Sequence, residues 1–143
     1  MAGEETVFRT EHPTQVPPRR MKALRLSLDG PPLKGVVSSG QGVGFETEGW
    51  YEVLLAVEWD PHDTEGTRFS HTRIPGQEPL HSEAINADVL VQLSQGRQLL
   101  RGNTIFGLDH TREIVLEVWH DSPRPVTVRS GELRIRRLGD PPG

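Results

Sequence analysis

Histidine and carboxylate side chains have the widest chemical repertoire in this sequence, and several of them fall close together. Asp60, His62 and Asp63 crowd one segment, and an Asp109-His110 pair precedes an apolar run. A transition-metal site needs two to four converging ligands, and none of these spacings is a recognised ligand motif. Calcium would suit the carboxylates of residues 60–65, but the glycine-containing calcium loop is absent. We predict no metal and no cofactor, and we interpret Asp60, His62, Asp63 and His110 as ligand-surface candidates.

Covalent catalysis has no support in the sequence. The chain contains no cysteine, and no serine lies in a G-x-S-x-G turn. Ser70 and His71 are adjacent along a predicted strand, so their side chains point to opposite faces. A cupin-type metal centre requires two histidines one residue apart with a glutamate shortly after, and His71-Thr72-Arg73 does not satisfy that pattern. We predict that the protein is not an enzyme, and we keep a cupin-like metal-dependent enzyme as an alternative.

Composition and charge argue against further classes of function. The 143 residues suffice for one domain with its own core, and the formal net charge of −4 does not favour nucleic-acid binding. No stretch approaches the roughly 18 apolar residues of a membrane span. The opening residues MAGEETVFRT do not resemble a signal peptide. We expect no membrane insertion, and a protein that is cytoplasmic or assembled into a surface or virion structure.

Two long segments alternate apolar and polar residues at period two, which is typical of β-strands with one buried face. In residues 50–59 and 113–120 the predicted core positions are Tyr51, Val53, Leu55, Val57, Trp59, Ile114, Leu116 and Val118. The opposite faces are only half polar, because they include Leu54, Ala56, Val115 and Trp119. The glutamates on these faces, Glu117 among them, are predicted to be solvent-facing. Trp50 and Trp119 fall out of phase with the core, so both are interface or ligand candidates.

The remaining sequence consists of short β-prone runs separated by glycine and proline turns. Turn signals recur about every 8–12 residues, which indicates an all-β sandwich or barrel. We predict a flexible arm over residues 1–20, a domain over 21–138 and a tail over 139–143. We also predict a flexible loop at SSGQGVG, a strand over residues 84–93, glycine turns around Leu99-Leu100 and a turn at Ser130-Gly131.

Three short motifs occur in a familiar order. Gly49-Trp50-Tyr51 opens a long strand, Gly66-Thr67-Arg68 leads into the next, and Leu133-Arg134-Ile135 lies near the end. Over roughly residues 22–138 the chain resembles the jelly-roll domains of the complement globular-head and tumour necrosis factor superfamily, especially their bacterial and phage relatives. One departure is Thr111-Arg112-Glu113, which stands where relatives often carry a glycine-aspartate pair.

The resemblance implies an antiparallel jelly-roll β-sandwich of about ten strands that forms a homotrimer around a three-fold axis. Leu54, Ala56, Val115 and Trp119 are then candidates for the oligomer interface, unless a loop or the arm of the same chain covers them. The predicted function is a non-enzymatic module for assembly or recognition in a bacterial or phage surface, with a glycan or protein ligand. A carbohydrate-binding β-sandwich module is the other alternative, and it requires an exposed tryptophan platform.

Overall fold

The computed structural model describes residues 5–40, 42–46, 49–60, 66–73, 79–86, 97–106 and 112–139. These residues form twelve strands: β1 (Glu5–Arg9), β2 (Thr14–Val16), β3 (Lys22–Leu24), β4 (Ser27–Leu28), β5 (Val36–Ser39), β6 (Gly42–Phe45), β7 (Gly49–Trp59), β8 (Thr67–Arg73), β9 (Pro79–Asn86), β10 (Arg97–Phe106), β11 (Arg112–His120) and β12 (Val126–Gly139). None of the described residues forms a helix that is long and apolar enough to cross a membrane.

The strands form two six-stranded sheets. The first has the order β10-β7-β12-β1-β4, with β2 also paired to β12, and the second has the order β5-β6-β11-β8-β9, with β3 also paired to β11. The pairings are antiparallel, including those of β12 with β7 on one side and with β1 and β2 on the other. The predicted antiparallel jelly-roll sandwich is confirmed, and β12 runs through the middle of its first sheet.

The core lies between the two sheets, where the period-two pattern predicts it. The core positions of β7 and β11 are each at most 5% exposed, from Tyr51 to Trp59 and from Ile114 to Val118. Full burial of such a side chain stabilises the fold by about 1.5–3 kcal/mol, so these eight residues make a large contribution to the packing. Phe45 from β6 meets Tyr51 edge to face, with ring centroids 4.8 Å apart. The alternate residues of both strands therefore lie on the outer faces.

The segment that precedes Met21 belongs to the sandwich, which corrects the predicted arm over residues 1–20. β1 and β2 pair with β12, and both Phe8 and Val16 are fully buried. The bend between the two strands is fixed by Thr10, whose N–H donates to Gly131 O at 2.9 Å. The sequence shows no strand periodicity here, because the apolar residues are isolated in a polar, proline-rich segment. The segment is ordered by its pairing with β12. Residues 1–4 lie outside the described part.

The SSGQGVG segment is a hairpin, although its glycines suggest a flexible loop. β5 and β6 pair from Val36↔Phe45 to Ser39↔Gly42, and Gly40 turns the chain with φ of 57°. Gly42 packs against the backbone of Ile114, so an added Cβ would overlap that carbonyl oxygen. The glycine here permits close approach of two strands rather than flexibility.

Two other glycine-based predictions are also wrong. β10 is one strand from Arg97 to Phe106 that passes through Gly102, so the turn predicted at that glycine is wrong, and the turn predicted at Gly96 lies outside the described residues. β12 passes through Ser130-Gly131 with a shift of register between Val128 and Ser130, so this position is a bulge and not a turn. The strand expected over residues 84–93 occupies Pro79–Asn86 in its described part, and residues 87–93 lie outside it.

Candidate functional site

The four residues predicted as one interface lie on opposite surfaces of the sandwich. Leu54 and Ala56 alternate with core residues of β7 and so face outward from the first sheet, whereas Val115 and Trp119 face outward from the second. The structure therefore brings them together in two pairs and not as one seam. Ala56 is 6% exposed and Val115 is 5% exposed, while Leu54 and Trp119 are partly exposed. Each face thus offers one larger apolar side chain to a partner.

On the first sheet, a row of charged residues runs beside the apolar pair. Leu54 lies opposite Arg134 of β12, and Ala56 lies opposite Glu132. On the other side of β7, the register places Leu99 opposite Ala56 and Arg101 opposite Leu54. The outer face of the first sheet therefore combines a small apolar centre with charged neighbours.

The charged row is a continuous series of ion pairs, which we call the ion-pair ladder. It consists of Asp29, Arg9, Glu132, Arg134 and Glu5. Arg9 contacts Asp29 at 2.5 Å and Glu132 at 3.0 Å, and Arg134 contacts Glu5 at 3.0 Å and Glu132 at 3.4 Å. Burial lowers the pKa of Arg134, but Glu5 and Glu132 raise it more, so the net pKa lies above its ordinary value. The ladder links β1, β12 and the residue after β4.

The second sheet carries a different arrangement, which we call the Glu117 cluster: Glu117, His71 and Arg73. His71 and Arg73 alternate along β8, and the register places His71 opposite Glu117 of β11. His71 Nε2 lies 2.6 Å from Glu117 Oε1, and Arg73 donates from Nε to Oε1 at 2.9 Å and from a terminal nitrogen to Oε2 at 2.8 Å. The carboxylate is therefore held by a bidentate arginine and a histidine.

Glu117 is buried, which corrects the prediction of a solvent-facing glutamate. The residue is 8% exposed and His71 is 4% exposed. Burial alone raises the pKa of Glu117, but hydrogen bonds and charge from Arg73 and His71 outweigh it, so the net pKa is lowered. A general acid needs a raised pKa, and both oxygens of Glu117 are already engaged. The cluster therefore suits a structural carboxylate better than a catalytic one.

Sequence reasoning missed this cluster for a topological reason. His71 and Arg73 share the phase of Phe69 on β8, and Phe69 packs edge to face on His71 with centroids 5.2 Å apart. That periodicity is visible in the sequence, as is the period of β11. The pairing of β8 with β11, which joins residues more than forty positions apart, is not a local signal.

The histidines in the described part do not converge on a metal. His120 is fully buried, with Nε2 2.7 Å from Val16 O and Nδ1 accepting the N–H of Ser122 at 3.1 Å. Both of its ring nitrogens therefore contact the backbone. His12 is exposed in the bend between β1 and β2, and His71 lies on the second sheet's outer face. Among the described residues no group of three or more histidines, aspartates or glutamates is placed to hold a metal ion.

The ligand-surface candidates are only partly described. Asp60 follows β7, and its N–H donates to Thr127 O at 2.9 Å while its carboxylate lies 3.8 Å from Arg129. Trp50 belongs to β7, and its side chain lies outside the described part. Trp59 is in the core, as predicted. His62, Asp63 and His110 lie outside the described residues.

Comparison with known proteins adds structural likeness but no sequence relative. No protein-family model matches the chain, and no curated protein matches it. Among solved structures, vertex protein P5 of phage PRD1 is similar with a TM-score of 0.68 at 11% identity, covering 97% of this chain and 99% of that one.

Two tumour necrosis factor family proteins are similar as well. Murine APRIL has a TM-score of 0.58 at 12% identity, covering 94% of this chain and 100% of its own. Eiger from S. frugiperda has a TM-score of 0.56 at 13% identity, covering 100% of this chain and 97% of its own. At such low identities the likeness establishes fold and not activity. The resemblance seen in the sequence is thus confirmed for the fold: this chain is a tumour necrosis factor-like jelly roll, with a phage vertex protein among its structural neighbours.

Proposed function

We propose that this protein is a non-enzymatic jelly-roll module that self-associates as a homotrimer and serves assembly or recognition in a virion or surface structure. The observation that carries the proposal is the likeness to vertex protein P5, which extends over almost the whole of both chains. The chemistry of the described residues supports it, because the most buried carboxylate cluster has a lowered pKa and fully engaged oxygens.

The outer face of the first sheet is the self-association surface in this proposal. A closed cyclic oligomer buries the same patch of every chain, and such patches have an apolar centre with a polar rim. Leu54 and Ala56 supply the centre, and the ion-pair ladder supplies the rim. The small apolar residues are equally covered on the two faces, since Ala56 is 6% exposed and Val115 is 5% exposed. The charged side chains differ: those of His71 and Glu117 on the second sheet are 6% and 11% exposed, and those of Glu5 and Arg134 on the first are 37% and 39% exposed, so the first face has more area left to bury.

The mass in solution, measured by light scattering behind a sizing column, tests the proposal. We expect a mass of three chains for the wild type and a folded monomer for Leu54→Glu, because burying a charged carboxylate at the apolar centre of the interface costs free energy. Trp119→Glu is the matched control on the opposite face and should leave three chains. A monomeric wild type would contradict the proposal. Loss of the oligomer in Trp119→Glu alone would move the interface to the second sheet.

A further inference from the structure

His120 joins three separate parts of the chain at one end of the sandwich. Its Nε2 lies 2.7 Å from Val16 O at the end of β2, and its Nδ1 accepts the N–H of Ser122, in the turn after β11, at 3.1 Å. Its carbonyl oxygen accepts the N–H of Arg19, in the connection from β2 to β3, at 2.8 Å. We call residues 16–19, His120 and Ser122 the His120 joint. The joint links the first sheet, which contains β2, to the second sheet, which contains β11.

The two backbone partners fix the protonation state of the imidazole ring. A carbonyl oxygen only accepts, so Nε2 carries the hydrogen that is donated to Val16 O. A backbone N–H only donates, so Nδ1 presents a lone pair to Ser122. The ring is therefore the neutral tautomer with its hydrogen on Nε2. A second proton, on Nδ1, would point at the N–H of Ser122 and break that hydrogen bond.

The surroundings of the ring also disfavour a positive charge. His120 is fully buried, and a buried charge is costly unless it is paired. Arg68, itself fully buried, lies opposite His120 in the pairing of β8 with β11. Both side chains meet the ring of Trp59: the guanidinium carbon lies 5.6 Å from its centroid, and the imidazole packs edge to face with centroids 6.3 Å apart. A protonated His120 would therefore place a second cation beside Arg68 in the core.

Two described carboxylates lie next to the joint along the chain, Asp121 and Asp60. Asp121 Oδ1 accepts the N–H of Thr67 at 2.6 Å, and the Asp60 carboxylate lies 3.8 Å from Arg129. Within the described residues, neither carboxylate forms an ion pair with His120. The described contacts of the ring therefore favour its neutral form over the imidazolium.

The connection over the joint is held in a conformation that it would leave if released. Arg19 has φ of 57°, in the left-handed region that a residue with a side chain adopts at an energetic cost. Its hydrogen bond to His120 O holds it there. Pro17 and Pro18 have no N–H with which to add further bonds. Arg19 and Arg20 are exposed, so the connection can move into water without uncovering their charges.

We propose that the His120 joint is a pH-sensitive switch: a proton taken up from water at Nδ1 displaces the N–H of Ser122, turns the imidazolium toward solvent and releases the β2–β3 connection from β11. Opening uncovers the fully buried side chain of Val16. The opened chain binds the proton as an ordinary histidine does, with a pKa of about 6.5, whereas the closed joint has no place for it. The open form therefore gains population as the pH falls below about 6.5, and the closed form is retained above that pH. The switch acts within one chain and is independent of the proposed homotrimer.

Amide hydrogen exchange, followed residue by residue with NMR between about pH 7 and pH 5, tests the switch. The protection factors of the Arg19 and Ser122 amides should fall by about tenfold per pH unit below about pH 6, because opening takes up one proton. The Glu46 amide, which donates to Gly35 O at 2.7 Å beside the β5–β6 hairpin, is the internal control and should keep its protection. Unchanged protection at Arg19 and Ser122 would overturn the proposal. An equal loss at Glu46 would also overturn it, since the whole domain would then unfold together.

Variants that cannot titrate separate His120 from other effects of acid. His120→Asn keeps an acceptor for the N–H of Ser122, as in an Asx turn, and His120→Gln keeps a donor for Val16 O. In both, the protection of the Arg19 amide should no longer depend on pH, whereas His12→Asn, at an exposed histidine, should retain the wild-type dependence. A wild-type dependence in either folded His120 variant would overturn the proposal.

The ring nitrogens of the wild type give a direct reading that does not depend on any variant. Their ¹⁵N chemical shifts should report the tautomer with hydrogen on Nε2 at neutral pH. Nδ1 should gain its proton over the same pH range in which the Ser122 amide loses protection. Protonation of the ring while Ser122 stays fully protected would overturn the proposal, since the closed joint would then hold the imidazolium. If neither His120 variant folds, this reading decides.

Discussion

The two outer faces of the sandwich use the same chemistry in different surroundings. On the first sheet, the arginines and the terminal carboxylates of the ion-pair ladder have side chains that are 37–55% exposed, and only Glu132 at its centre is buried. On the second sheet, the side chains of His71 and Glu117 are 6% and 11% exposed. Exposed ion pairs contribute little to stability, whereas loss of one partner from a buried pair is costly. The two faces therefore differ in rigidity. The face of the second sheet is held by the buried Glu117 cluster, whereas the face of the first sheet is available to a partner.

The largest expected effect follows from removing the charge of the Glu117 cluster. Glu117→Gln should lower the free energy of unfolding by about 2–3 kcal/mol, because the buried histidine loses its anionic partner. Urea unfolding followed by tryptophan fluorescence measures this. Glu5→Gln, at the exposed end of the ladder, is the matched control and should cost less than about 1 kcal/mol. Equal losses in the two variants would remove the distinction between the faces.

Acid should reduce the contribution of the same cluster. The pKa of Glu117 is lowered from its ordinary 4.5, so the ionised group stabilises the folded state above that pH. As the pH falls through the lowered pKa of the folded state, the carboxylate is protonated and the contribution is lost. The difference in unfolding free energy between wild type and Glu117→Gln should therefore narrow from pH 7 to pH 3. A constant difference would show that Glu117 acts through packing and not through its charge.

The smallest expected effect lies on the ladder. A double-mutant cycle of Arg134→Met and Glu5→Gln should give a coupling energy of about 0.5 kcal/mol at low salt, since both side chains are more than a third exposed. Salt at 1 M should reduce the coupling to near zero, as the Debye length falls to about 3 Å. A coupling above about 2 kcal/mol that resists salt would mean that the ladder is as rigid as the Glu117 cluster.

The parts of this fold that could be predicted are those with local signals. The alternation in β7 and β11 gave the core face correctly, from Tyr51 to Trp59 and from Ile114 to Val118, because period two is a property of neighbouring residues. The three motifs around Trp50, Thr67 and Arg134 gave the jelly-roll fold. The charge pattern on the same strands predicted burial less well. Alternation shows that the side chain of Glu117 points away from the core, but it does not show which residues of the neighbouring strand lie opposite it.

The parts that could not be predicted depend on distant pairings. β1 and β2 are held by their pairing with β12, and the residues that they add to the hydrophobic core are Phe8 and Val16. Glycine was misleading where strands approach closely, as at Gly42, since the sequence does not distinguish a turn from tight packing. The interface candidates were divided between the sheets for the same reason: period two gives a face of a strand, and only the strand order gives the side of the molecule.

The place of β12 in the middle of the first sheet has a consequence for synthesis. β1, β2 and β7 all pair with residues 126–139, so these early strands lack their shared neighbour until almost all of the described chain has left the ribosome. Pairings over such sequence separations make folding slow and expose strand edges meanwhile. The nascent chain therefore exposes these unpaired strands until β12 is available to pair with them. A truncation before residue 126 removes β12, which is a central strand of the first sheet and not an edge strand.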